Sequence, residues 1–138
     1  AFMLSDTEGF TSKTEAYMHY APECYGHFDM VLPICGETIT GFLQYNRDFQ
    51  GRFYTVGVET DMSLYSPDVP FSCVRHIDRV ISTCITDWWN GRLEHNRTFG
   101  MEEDWVELVV AGKYKKLLEP LSQEIHNQAK EMEVNYAK

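Results

Sequence analysis

Residues 66–91 read SPDVPFSCVRHIDRVISTCITDWWNG, and the change of period inside this stretch decides the fold. Pro67, Asp68 and Pro70 punctuate the chain. Beyond them Cys73, Val74, Ile77, Val80, Ile81, Cys84, Ile85 and Trp88 recur at three- and four-residue spacing, the apolar stripe of one helix. Asp68 or Ser72 supplies an N-cap, and Asn90 with Gly91 a stop. Arg75, Asp78, Arg79, Ser82, Thr83 and Asp87 fall off the stripe. The helix is expected to bury the stripe and show the charges to water.

Upstream the pattern is extended. Residues 38–45 and 52–60 are rich in β-branched and aromatic side chains, and residues 46–51 hold Asn46, Asp48 and Gly51. That arrangement predicts a β-hairpin. Gly41 and Gly57 inside it mark strand curvature or a close approach of backbone. Residues 27–35 also read as a strand, with Pro33 keeping them from a central position. Near the start, Ser12 to Glu15 match a capping box, with a short helix running to Pro22. The polar residues before Ser12 are expected to be loose.

Downstream, Met101 to Val109 begin with three acids and continue through Trp105, Leu108 and Val109, the pattern of a helix start. Tyr114, Leu117, Leu118, Leu121, Ile125, Ala129, Met132 and Tyr136 carry a second helical period. Pro120 is expected to kink or divide it. The reading is a single α+β domain over residues 1–138: an antiparallel β-sheet in the N-terminal half packed against two or three C-terminal helices.

The 138 residues support one core and no more, since a folded monomer of this size buries about 68% of its extended surface. A two-domain cofactor enzyme and a complete eight-unit α/β barrel are too long for it. No apolar run approaches the roughly 20 residues of a bilayer span. The opening AFMLSDTEGF has no basic region and no long apolar stretch, so it does not read as a signal peptide. The net charge is −9, with 10 acids against 3 bases in residues 1–70. Phosphate neutralisation needs the opposite sign, so direct nucleic-acid binding is not expected.

Cysteines at 24, 35, 73 and 84 form no CxxC pair, which gives no local support for a zinc knuckle or a thioredoxin-like site. Reduced thiols and a cytoplasmic setting are expected. Dinucleotide, P-loop, zincin and nucleophile-elbow fingerprints are missing from the sequence. His19 and His27, with Glu23 or Asp29, lack diagnostic metal spacing, and neither a metal nor a cofactor is expected. Asn96-Arg97-Thr98 is an N-glycosylation pattern that matters only in an exported chain.

The candidate chemistry lies around the central helix. Arg75 and Arg79, four residues apart, suit a forked grip on a phosphate or carboxylate. Arg47 and Arg52 flank the expected turn and are candidates for the same ligand. Trp89, beside Trp88 but about 100° round the helix, suits an interface or a stacked ligand. The expected function is a small binding or regulatory protein that self-associates as a homo-oligomer and takes another protein or a small anion. The alternative is a compact metal-independent enzyme, with His76 as general acid/base and Arg75 and Arg79 positioning an anionic substrate.

Overall fold

Ile39, Phe42 and Leu43, inside the first expected hairpin strand, and Asn46, in the expected turn, fall at helical spacing, and the fold follows that spacing. The computed structural model describes residues 11–51, 53–101 and 103–136, with side chains placed through 134. Helix α1 is a composite of an α segment Lys13–Glu15, a π turn Ala16–Tyr20 and an α segment Ala21–Cys24. Strand β1 (Met30–Val31) and a 3₁₀ turn (Gly36–Thr38) lead into α2 (Ile39–Asp48). The chain returns through β2 (Tyr54–Thr55) and β3 (Gly57–Glu59), then a 3₁₀ turn at Met62–Leu64 and β4 (Phe71–Arg75). Then follow α3 (Ile77–Trp89), β5 (Val106–Val110), a third 3₁₀ turn (Gly112–Tyr114) and α4 (Lys115–Tyr136).

Helices and strands mix as expected, but the sheet is not the expected one. Among the described residues strand β1 pairs with β2 in parallel, β3 with β4 in parallel, and only β4 with β5 is antiparallel. Only Val56 separates β2 from β3. The Tyr54 and Val56 amides donate to the Asp29 and Val31 carbonyls, while the Thr55 amide between them donates to the Asp68 carbonyl. Alternate amides of an extended run point to opposite edges. Residues 54–59 therefore carry β1 on one side and the approach to β4 on the other. The expected hairpin is instead a β–α–β crossover, β1–α2–β2/β3.

Burial overrides propensity in α2. Ile39, Gly41, Phe42, Leu43, Tyr45 and Asn46 are all buried there. They join Ala16, Ala21, Cys24, Cys35, Phe53 and Val69 in the core. Asn46 is fully buried and ties α2 to the next strand. Its Nδ2 donates to the Phe53 carbonyl at 2.7 Å and to Thr55 Oγ1 at 3.3 Å. Gly41 marks a close approach: a Cβ there would overlap the Lys13 carbonyl and meet the Ala16 Cβ at 2.7 Å, so α1 crosses directly over it.

Four further expectations change. Ser12 makes no side-chain cap, and α1 runs through Pro22. A π turn precedes that proline, where a missing N–H and a crowding ring disturb the α ladder. Cys73 and Val74 belong to strand β4, so the helix begins only at Ile77. Residues 106–110, expected to be helical, are strand β5, because Val106, Leu108 and Val110 alternate along β4. Finally, α4 continues through Pro120, which interrupts its second turn in a helix held to β5 by the Ser122 hydroxyl on the Leu108 carbonyl. The segment expected to be loose, before Ser12, falls mostly in residues 1–10, outside the described residues.

Candidate functional site

Parallel strands end at one edge, and a cavity of about 650 Å³ opens there. One wall is the loop after β1 and the first turns of α2, with Ile34, Ile39 and Leu43. The facing wall follows β3, with Val58, Met62 and Tyr65. Open parallel sheets hold ligands outside the carboxyl ends of their strands, where the connecting loops diverge. Its size is that of a small-molecule site, with apolar walls and a few polar groups.

The second wall is set by the backbone. Gly57 faces Ser72 across the β3–β4 pair, and a Cβ on Gly57 would come within 2.7 Å of the Ser72 Cβ. The space goes instead to the Ser72 hydroxyl, which accepts the Met62 amide at 3.0 Å. Asp61 Oδ1 accepts the Ser63 amide at 3.0 Å. These two bonds hold the 3₁₀ turn that carries Met62. Glu59 ends β3 at φ 73°, a left-handed conformation that is uncommon for a residue with a side chain.

Three ionic groups line the cavity. Glu37 sits 3.8 Å from Lys13 Nζ, and Glu59 accepts both Arg75 Nε, at 2.7 Å, and Arg75 Nη2. Both carboxylates thus have a cation beside them. Arg47, in the last turn of α2, has no ion-pair partner among the described residues. Cys35 is also in the wall, and burial pushes its thiol up to about 11, so it stays protonated at neutral pH.

Of the residues singled out from sequence, only Arg47 lines this cavity. Arg75 touches it indirectly through Glu59. It does not share a helix face with Arg79, because Arg75 ends strand β4 while Arg79 lies in the first turn of α3. Arg79 donates to the Asp104 carbonyl at 3.1 Å and lies over the Trp105 ring, 4.9 Å from its centroid. His76 is the N-cap residue of α3, and its Nε2 is 2.9 Å from Glu107 Oε1 on β5. Trp89 stands 81% exposed at the far end of α3. Arg52 lies outside the described residues. The residues missed were Ile34, Glu37, Thr40, Glu59 and Thr60. A parallel reading of residues 30–60 would have found them, since it places the ends of both strands together.

A second hollow, of about 470 Å³, lies beside the 92–99 connector. Its Arg92 and Arg97 both turn to Asp87, at 3.5 and 3.2 Å. Its cations are engaged internally. No three His, Cys, Asp or Glu side chains among the described residues converge as a metal site, and His19 and His27 form none. No helix among them is long and apolar enough to cross a membrane.

No protein-family model matches the sequence, and no curated protein is significantly similar to it. Solved structures share the fold. A transcriptional activator of the comK gene from Bacillus halodurans superposes with a TM-score of 0.70 at 15% identity, over 94% of this chain and 44% of its own. A solute-binding protein of an ABC transporter system from Aeropyrum pernix K1 gives 0.57 at 17% identity, over 80% of this chain and 31% of its own. The chain therefore spans less than half of either neighbour, and at these identities the likeness is one of fold.

Proposed function

We propose that this chain is a binding module that takes a small anionic solute in the cavity at the carboxyl ends of β1 and β3. The observation that carries the reading is Arg47, a cation without an ion-pair partner among the described residues, set in a mostly apolar lining beside two carboxylates at the edge where such sheets bind ligands. Glu37 and Glu59 each have a basic neighbour, which offsets their repulsion of an anion. The solute-binding role named for the Aeropyrum neighbour agrees with this reading. The net charge of −9 argues against nucleic acid as the partner. The four free cysteines fit the reducing, cytoplasmic setting expected from their spacing.

Titration calorimetry against a panel of carboxylated and phosphorylated metabolites, each paired with an uncharged analogue, tests it. At least one anion is expected to bind. Arg47→Ala should weaken it about tenfold or more, the scale of one charged hydrogen bond. Arg79→Ala, outside the cavity, should leave it unchanged. A wild type that binds no anion, or an Arg79→Ala variant that loses as much as Arg47→Ala, overturns the assignment.

A further inference from the structure

The central helix turns its apolar stripe outward. Ile77, Ile81, Ile85 and Trp88 are 50, 54, 60 and 65% exposed, and no residue of α3 is buried. At 100° per residue these four fall within one quadrant of the helix, with Asp78 and Trp89 on its flank. Val80 and Cys84, half-buried, border that quadrant on the side turned to the rest of the chain. The face is three turns long and apolar, and none of the described residues buries it.

We propose that this face docks a second copy of the same chain, laid antiparallel across a two-fold axis between Ile81 and Ile85. Three observations choose this occupant. With Trp89, the exposed side chains offer on the order of 700 Å² of apolar surface, close to the roughly 800 Å² one partner gives a standard interface. The middle of the helix, residues 80–86, carries no charge in a protein of net charge −9. The hydroxyls of Ser82 and Thr86 donate to the Asp78 and Ser82 carbonyls of their own helix, which leaves their donor capacity satisfied. Two strongly acidic copies can meet there without facing like charges, whereas a basic partner would find nothing to pair with. The ends are complementary as well. Asp78 opens the helix with no ion-pair partner among the described residues. Arg92, past the other end, is 68% exposed, and its internal bond to Asp87 is a long 3.5 Å to a carboxylate that Arg97 also holds at 3.2 Å, so Arg92 can turn to a partner without stranding Asp87. Antiparallel pairing sets Asp78 of one copy toward Arg92 of the other at both ends, and it opposes the two helix dipoles. The surface is independent of the cavity reading.

Sedimentation equilibrium of the 138-residue chain across the micromolar range is the test. The wild type should approach twice the 16.1 kDa of one chain. Ile85→Lys should weaken association about 100-fold or more while its circular dichroism stays that of the wild type. Asp78→Arg should weaken it roughly fivefold, and adding Arg92→Asp should restore it. A wild type that stays at one chain mass shows that this face is vacant or serves a different protein, and overturns the proposal. So does Ile85→Lys that still dimerises. If Asp78 acts only on its own helix end, the single and double variants associate alike, which overturns the antiparallel register.

Discussion

Helices α2 and α3 are both amphipathic, and they meet opposite fates. Six of the ten residues of α2 are buried, between α1 and the strand that follows. None of the thirteen residues of α3 is, although its apolar stripe is the longer and more regular. The first half of the chain closes a core from α1, α2, Cys35, Phe53 and Val69; the second half lays two helices beside β4 and β5 and leaves Leu117, Leu121 and Met132 of α4 more than half exposed. Period identifies the apolar face of a helix but says nothing about what covers it. Packing is a property of the whole chain and its partners.

The difference is largest for a core aromatic. Phe42 packs edge-on against Phe53, with ring centroids 6.4 Å apart. Phe42→Ala should destabilise the fold by about 3–5 kcal/mol, through lost transfer energy and the cavity left behind. Ile81→Ala, at a half-exposed site, should cost under about 1 kcal/mol when measured dilute. Even Ile81→Asp, which the helical stripe alone marks as severe, should be mild there. Guanidinium titrations in which both alanine variants lose equally would erase the contrast between the halves.

Asn46 sharpens it from the polar side. Removing a buried carboxamide that holds two partners leaves the Phe53 carbonyl and the Thr55 hydroxyl short of a donor. Asn46→Ala should cost about 1–3 kcal/mol. Ser82→Ala, whose hydroxyl only bonds back to its own helix, should fall within roughly 0.5 kcal/mol of the wild type. Urea midpoints that rank the two in the opposite order would place the structural polar network in α3 instead.

How much of this was legible in the sequence depends on which physical rule decided each segment. The helix at 77–89 was readable, because its period is clean and Asn90-Gly91 ends it. Its outward orientation was not, since the signal is the same for a buried and an unpartnered stripe. Residues 39–48 misled because Ile39, Thr40, Phe42 and Tyr45 favour strands, and burial of Phe42 and Leu43 outweighs that preference. Their three- and four-residue spacing was in view throughout. Once α2 is taken as a hairpin strand, β1 and β3 cannot be parallel, and the cavity between their ends disappears. Arg47 was found only because, with Arg52, it flanks the expected hairpin turn, and the structure places it in the last turn of α2 instead. The φ of Glu59 leaves no trace in composition.

Two glycines give the same comparison with opposite signs. At Gly41 a methyl group would press on the Lys13 carbonyl and on Ala16, and α1 would have to shift. Gly41→Ala should therefore cost about 1–3 kcal/mol. At Gly112, in the second half, a Cβ meets nothing within 4 Å and the backbone is not left-handed. Gly112→Ala should stabilise by about 0.4–1 kcal/mol, by restricting the unfolded chain. Thermal midpoints moving the same way in both variants would show that the halves do not differ in packing at these sites.

The smallest expected effect concerns what ties the helices of the second half together around its few buried residues, Val74, Trp105, Val110 and Ala111. Asp104, at φ 59°, gathers contacts from two helices. Its carbonyl accepts Arg79 of α3, and its Oδ1 meets Lys130 Nζ at 2.7 Å and His126 Nε2 at 3.1 Å on α4. The hydrogen bond from Lys130, followed by that from His126, holds the Asp104 carboxyl below its ordinary value. The sign of the pH effect follows. A carboxyl depressed in the folded state binds its proton more readily when unfolded, so its contribution is complete above an ordinary aspartate value of about 3.9 and is lost as pH falls through the lower folded value. Asp104→Asn keeps the shape and removes the charge. The wild type should melt slightly above this variant at pH 6, and the two should converge in acid, below pH 3. The Arg79 bond goes to the backbone and survives in both. A gap of equal size at both pH values would mean that Asp104 acts through its backbone conformation, with no part for the carboxylate in joining α4 to the sheet.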